Sequence, residues 1–312
     1  MSTYTNDKLQ VVADTITKAM NEKGVEWFKP FTSNCQSIYK RPRNAVSGID
    51  YSGFNYFWLM FCKDTGGYSS NQWCTFKQVQ SLGGRVNKGE KATIVTYYGS
   101  HTKEVKVDGE AVKDSYKFLK VYNVFNLSQT NLTSLVQDEQ LLKDNEEPLT
   151  PVQRINKLDT YVNNTRADIR HGPSKCFYDS HNDYINMSPK NTWNAGSVYA
   201  SKEEAYYAVL LHELAHWTGH EKRLNRNLGN IFGSEAYAFE ELIAEYSSAM
   251  LLSHLGISKE PSSNHAAYLT NWSRAIKKDP KKLLKAIALA QKVVNFLDGK
   301  QSIQPKKVKE AA

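Results

Sequence analysis

The chain has no run of roughly 18 apolar residues, so no segment of it is expected to cross a membrane. Cysteine is scarce: Cys35, Cys62, Cys74 and Cys176 are scattered through 312 residues, and no two have C-x-x-C spacing. That spacing excludes a disulfide framework and argues against a thiolate zinc finger; free thiols in a reducing cytoplasm are the expectation. The segment Met1-Ser2-Thr3-Tyr4-Thr5-Asn6-Asp7 lacks the basic-then-apolar order of a signal peptide, which also reads as cytoplasmic. No internal repeat is present.

What the chain does have is core material and uneven charge. Hydrophobic residues make up 40% of 312, enough for two ordinary domains. Residues 28–130 carry 14 Lys+Arg against 7 Asp+Glu, a net of +7. Residues 131–273 carry 12 against 18, a net of −6, and residues 274–312 carry 11 against 3, a net of +8. An acidic region flanked by basic ones points to a polyanion partner for the basic parts, nucleic acid first.

Periodicity predicts an α+β protein of two domains. Helices are expected over 7–22 and 72–82, and strands over 92–98, 102–107 and 116–125, with Asp108-Gly109 as the turn of a hairpin. Residues 133–150 read as an acidic linker between a first domain at 1–132 and a second at 151–298; residues 299–312 read as a flexible basic tail. The second domain is mainly helical. Helices are expected near 151–163, 201–219, 236–245, 266–276 and 280–297, with a small hairpin at 175–187.

Inside that second domain stands His212-Glu213-Leu214-Ala215-His216, an H-E-x-x-H. Residues four apart share a helix face, with Cβ atoms about 6 Å apart, so His212 and His216 can give two imidazole nitrogens to one Zn²⁺. Another divalent metal is the alternative. Glu213 falls beside them, placed as general base for a water of lowered pKa. Ser201 to Glu204 looks like a capping box, and an apolar stripe from Ala205 to Ala215 buries the helix. A third ligand is needed. His220 lies four residues past His216, but three histidines in a straight row cannot wrap a tetrahedron. The stretch Ala236–Glu245 contains Glu240-Glu241-Leu242-Ile243-Ala244-Glu245. It resembles the second helix of gluzincin-type metallopeptidases, and that resemblance implies Glu241 as third ligand. Glu245, one turn on, would accept the free N–H of a ligand histidine. Glu240 remains the off-register alternative to Glu241.

The first domain interleaves aromatics with Lys and Arg, the ingredients of single-strand binding: rings stack on unpaired bases while cations follow phosphates. Its segments are Trp27-Phe28-Lys29-Pro30, Lys40-Arg41-Pro42-Arg43, Tyr51-Ser52-Gly53-Phe54-Asn55, Trp73-Cys74-Thr75-Phe76-Lys77-Gln78, Gly83 to Lys91, and Val124-Phe125-Asn126. In that order they resemble the N-terminal single-stranded-DNA-binding domain of ArdC-type antirestriction proteins, a domain also found on plasmid primases. His212 to His220, Arg223-Leu224-Asn225-Arg226 and Tyr237 to Glu245 match the C-terminal pattern of the same family.

The resemblance covers about residues 10–298 and implies a protein of a plasmid or conjugative element. Such a protein binds single-stranded DNA, carries a zinc metallopeptidase-like site and protects incoming DNA from host restriction. Its partners would be single-stranded DNA and a restriction enzyme or another protein substrate, with no membrane. The other class, a non-catalytic single-strand binder with a structural or vestigial metal site, is the alternative. A chain of net charge +8 cannot work by acidic imitation of DNA. Candidates to lie near the DNA are Tyr51, Trp73 and Lys88; phosphate-contacting candidates are Lys29, Arg41, Arg43 and Lys91.

Overall fold

A computed structural model of the chain describes residues 3–24, 41–107, 110–136, 149–173, 175–196, 199, 201–228, 234–257, 272–274 and 276–301. The chain divides into two compact units: Met1–Glu22, Tyr39–Glu146 and Ile276–Lys281 form one, and Lys23–Ile38, Glu147–Ala275 and Lys282–Ala312 the other. Most of the expected linker, 137–148, and of the basic tail, 302–312, lie outside the described residues, as does the hairpin turn at Asp108-Gly109.

The first unit contains α1 (Thr3–Lys23, save its last residue), β1 (Arg43–Asn44), α2 (Gly53–Gly66), β2 (Gln72–Cys74), α3 (Phe76–Ser81), β3 (Thr93–Val107) and β4 (Glu110–Asn126). Leu9, Val12, Ala13, Ile16 and Met20 recur at helical spacing along α1 and are buried. The sheet runs β1-β2-β4-β3, with β1 parallel to β2 and the other pairs antiparallel. Leu59, Trp73, Val95 and Val124 form a core cluster on it.

Three expectations for this unit change. The stretch between the expected helices at 7–22 and 72–82, where none is expected, contains the helix α2, with Phe54, Tyr56, Phe57, Trp58, Leu59 and Phe61 all buried. A helix apolar on nearly every side has no stripe for periodicity to find. The expected helix at 72–82 splits: Gln72-Trp73-Cys74 is a strand, and only Phe76–Ser81 is helical, behind a capping box of Thr75 and Gln78. The two expected strands at 92–98 and 102–107 are one strand, β3, in unbroken register with β4 from Thr93↔Val124 to Val107↔Glu110.

The second unit contains α4 (Pro151–Thr165), β5 (Ile169–His171), β6 (Phe177–Asp179), β7 (Tyr184–Met187), α5 (Lys202–Trp217), α6 (Glu235–Leu255) and α7 (Lys281–Gln301, save its first residue). Thr150 and Gln153 cap α4 reciprocally, with Pro151 opening the helix. The expected hairpin is present as β6 and β7, and β5 adds a parallel strand to give the order β5-β7-β6. Ser201 caps α5 by accepting from Glu204 N–H, but the Glu204 carboxylate turns to Arg154 Nε at 2.7 Å. The two halves of the expected box are thus divided between a cap and a buried ion pair to α4. Of the helix expected at 266–276, residues 266–271 and 275 lie outside the described residues, and 272–274 and 276–278 are helical. Among the described residues, no helix is long and apolar enough to cross a membrane.

Candidate functional site

Helices α5 and α6 pack against each other, and sheet strands β6 and β7 lie on α5. His212 and His216 sit one turn apart on α5 with ring centroids 4.8 Å apart and planes at 79°. Their Nε2 atoms approach to 3.2 Å. Glu241 of α6 sends its carboxylate between them, with oxygens 3.6 Å from His212 Nε2 and 3.3 Å from His216 Nε2. Ligands about 2.1 Å from a tetrahedral ion are separated by about 3.3 Å, so these three groups converge at coordination spacing. Two imidazoles and a carboxylate are a donor set that fits Zn²⁺ or another first-row divalent ion.

Each imidazole presents its other nitrogen to a separate carboxylate. His212 Nδ1 lies 3.1 Å from Glu245 Oε1, an oblique approach that falls short of a well-aligned hydrogen bond. His216 Nδ1 lies 3.2 Å from Glu240 Oε1. The sequence left Glu240 as an alternative to Glu241; the structure places it behind His216, outside the converging set. Glu240 also accepts from Arg226 Nε and Nη2 at 3.0 and 2.7 Å, and Arg226 binds the Ala215 carbonyl and the Thr218 hydroxyl.

Three carboxylates around two rings make the cluster strongly anionic. Burial opposes charge on His212, but Glu245 and Glu241 outweigh it and lift its pKa to about 9. Burial likewise opposes charge on His216, and Glu240 and Glu241 raise it well above the ordinary imidazole value. Burial would raise Glu241, yet hydrogen bonds to both histidines hold it far below the usual carboxylate range. The site therefore demands positive charge, from protons or from a cation.

Glu213, between the histidines on α5, is only 8% exposed. Among the described residues no hydrogen bond or ion pair engages its carboxylate, unlike the carboxylates of Glu240, Glu241 and Glu245. His220 stands apart: it lies in the turn after α5, where its Nδ1 accepts from Lys222 N–H, and it does not join the clustered ligand atoms.

The chain leaves α5 through a tight return. Leu224 N–H bonds Thr218 O and Arg226 N–H bonds Gly219 O, both at 2.9 Å. A Cβ on Gly219 would stand 2.3 Å from Leu228 Cδ2 and 2.9 Å from the His216 carbonyl, so only glycine fits the crossing. Arg223 stacks its guanidinium 3.9 Å from the centroid of Trp217 and binds Asp183 and Tyr178 of the β6–β7 hairpin. Arg223 and Arg226 belong to the Arg223-Leu224-Asn225-Arg226 stretch, to which no role is given in the sequence pattern. Their spacing of three was the available signal, since it sends one to the hairpin and the other back under His216.

The nucleic-acid candidates separate. Lys88 and Lys91 are exposed in the turn before β3. Arg41 is half-buried, and Arg43 is bound to Asp50 through Nε and Nη2, both at 3.1 Å. Tyr51 is partly buried against the core cluster. Trp73 is a correction: at 0% exposure it lies at the centre of that cluster and has no face for a base. Lys29 lies outside the described residues. Other motif residues hold backbone. Asn55 binds both the N–H and the carbonyl of Thr96 at 2.7 Å, and the wholly buried Asn126 donates to the Ser70 carbonyl at 2.9 Å.

Comparison with known proteins agrees with this architecture. Residues 156–289 match a profile described as a zincin-like metallopeptidase, and residues 6–125 match the N-terminal domain of anti-restriction factor ArdC. The second unit is therefore a zincin-like domain. The chain as a whole belongs to the ArdC antirestriction family. Its fold is similar to the Mn(II)-bound crystal structure of the ArdC protein from plasmid R388, with a TM-score of 0.70 and 31% identity, covering 95% of this chain and 99% of that one. The metal-free structure of that protein gives 0.69 and 32%, covering 94% and 97%. An uncharacterized protein of Sinorhizobium fredii, y4eC, is 31% identical over 302 residues, spanning 95% of this chain and 93% of its own. A DNA primase TraC of Escherichia coli is 32% identical over 296 residues, a match that covers 92% of this chain but only 26% of that primase.

Proposed function

We propose that this chain is an antirestriction protein that binds single-stranded DNA with its first unit and holds a divalent cation, Zn²⁺ in the first instance, on His212, His216 and Glu241. A cation so held would supply Lewis-acid polarisation of a substrate carbonyl and would acidify a water. The residues then divide the work. Glu213 takes the proton of the attacking water and returns it to the leaving amine. Glu245 and Glu240 fix the imidazoles from behind, and Arg226 keeps Glu240 charged and in place. The proposed reaction class is amide hydrolysis of a protein substrate. β6 is an outer strand of its sheet among the described residues and offers an edge against which an extended peptide can pair.

The observation that carries this reading is the contrast among four acidic side chains. Glu240, Glu241 and Glu245 are each turned to an imidazole, whereas Glu213 is buried beside them with its carboxylate uncommitted. A metal with a structural role alone needs no such group. Basic charge in 28–130 and exposed Lys88 and Lys91 support the single-strand reading.

Elemental analysis of protein purified without chelators tests the site: about one divalent ion per chain is expected. No ion, even after zinc is added back, would sink the assignment. Glu213→Gln then separates chemistry from coating. The variant is expected to retain metal and lose protection of incoming DNA. Full protection with metal retained would mean that the chain acts as a non-catalytic binder.

A further inference from the structure

Beyond the core, the β3–β4 hairpin carries an aromatic face that sequence reading did not single out. Antiparallel register sets Tyr97, Gly99 and His101 of β3 opposite Lys120, Phe118 and Tyr116 of β4, all on one face. Tyr97 and Tyr116 are 54% and 52% exposed. Their rings flank Phe118 at centroid distances of 6.2 and 6.3 Å, and His101 continues the row 5.5 Å from Tyr116. Gly99 makes the row possible, because a Cβ there would stand 2.4 Å from Phe118 Cζ. Lys120 holds its ammonium 5.0 Å from the Phe118 centroid. No carboxylate stands on this face from Val95 to His101 or from Tyr116 to Tyr122.

We infer that this row, Tyr97, Phe118, Tyr116 and His101 with Lys120, is a stacking platform for two or three unpaired bases of single-stranded nucleic acid. The inference rests on the single-strand reading proposed above and moves the base contacts from Trp73 and Tyr51 to the hairpin. Three physical points favour this occupant over an apolar protein surface. The row is a single line of rings rather than a broad patch, and it ends in imidazole and ammonium groups. Residues 39–130 of the first unit carry 13 Lys+Arg against 7 Asp+Glu, a net of +6, complementary to phosphate. Same-face positions along a strand lie about 7 Å apart, twice the ~3.4 Å rise of stacked bases, so the row suits bases splayed from one another and not a duplex.

The test uses the full-length chain, fluorescence anisotropy with labelled oligo-dT, and a salt series. Phe118→Ala and Tyr116→Ala are each expected to weaken binding about tenfold with an unchanged log–log salt slope, because stacking releases no counterions. Lys120→Ala is expected to lower that slope by about 0.7. Phe118→Trp is expected to restore affinity. Tyr98→Ala, on the opposite face and 60% exposed, serves as the control and is expected to bind as the parent does. If the parent binds oligo-dT and the row variants bind equally well, the platform is refuted while the single-strand reading stands. If the parent does not bind, both fall. A row variant that alters oligomeric state but not DNA affinity also refutes the platform and assigns the face to a second copy of the chain.

Discussion

Glu240 and Glu241 are adjacent in sequence yet meet opposite sides of one imidazole: Glu240 Oε1 is 3.2 Å from His216 Nδ1, and Glu241 Oε1 is 3.3 Å from its Nε2. Neighbours on a helix diverge by about 100°. The ring of His216 fills that divergence, so α6 grips α5 through it. The two carboxylates consequently fail in different ways. Removing Glu241 deletes a ligand, whereas removing Glu240 frees the ring that carries one.

Glu240→Gln is therefore expected to weaken divalent-metal affinity by about 10- to 100-fold while the protein still folds. Chelator competition titration measures this directly. Equal affinity for variant and parent would show that Glu240 has no positioning role.

Arg226→Met tests the other end of the same chain of bonds. Both side chains are almost wholly buried, and removing one partner leaves Glu240 charged without its counter-ion. A loss of about 3–5 kcal/mol is expected in urea unfolding. The double variant with Glu240→Gln should lose less than the sum of the two single losses. Additive losses would mean that the pair is not coupled.

Chelation is expected to lower the unfolding temperature. Three carboxylates crowd two imidazoles, and a ligand that binds only the folded state at 100 times its Kd stabilises by about 2.7 kcal/mol. Calorimetry with and without EDTA reads the shift. Coincident transitions would contradict metal binding at this site.

Gly219→Ala is expected to destabilise by about 1–3 kcal/mol, since its Cβ would overlap Leu228 and the His216 carbonyl. Oligo-dT affinity should not change, because the variant acts on the second unit alone. A variant as stable as the parent would mean that the return loop yields at little cost.

The Asp183–Arg223 pair gives an acid signature. Arg223 holds the Asp183 carboxyl below its ordinary value, with Tyr178 assisting. A depressed folded pKa contributes stability that is complete above the unfolded pKa and is lost as pH falls through the folded one. The Tm difference between the parent and Asp183→Asn should thus be largest near neutral pH and shrink below pH about 4. A difference independent of pH would remove the pair from the acid response.

How much of this was legible depended on where the partners lay. His212, His216 and Glu213 announce themselves because a helix of period 3.6 brings i and i+4 together, a relation contained within five residues. Glu241 and Glu245 were reachable only through the resemblance of their segment to the second helix of gluzincin-type metallopeptidases. The Arg226–Glu240 bond was not, since it depends on a loop that returns across α5 at Gly219, which no periodicity encodes. Trp73 misled because W-x-T-F-x-Q reads as one helix, whereas the strand order buries its first residues in the centre of the sheet. The aromatic row escaped notice because Tyr97 and Phe118 are 21 positions apart and meet only through the register of β3 with β4.

The grip of Asn55 on Thr96 bears on how the sheet meets other chains. Among the described residues β3 is an edge strand, and its outward N–H and C=O groups fall on alternate residues, at 94, 96, 98 and 100. One amide side chain closes the outlet at 96 within the first unit. An incoming strand can therefore extend along β3 only from Tyr98 outward, over the segment that bears the aromatic row.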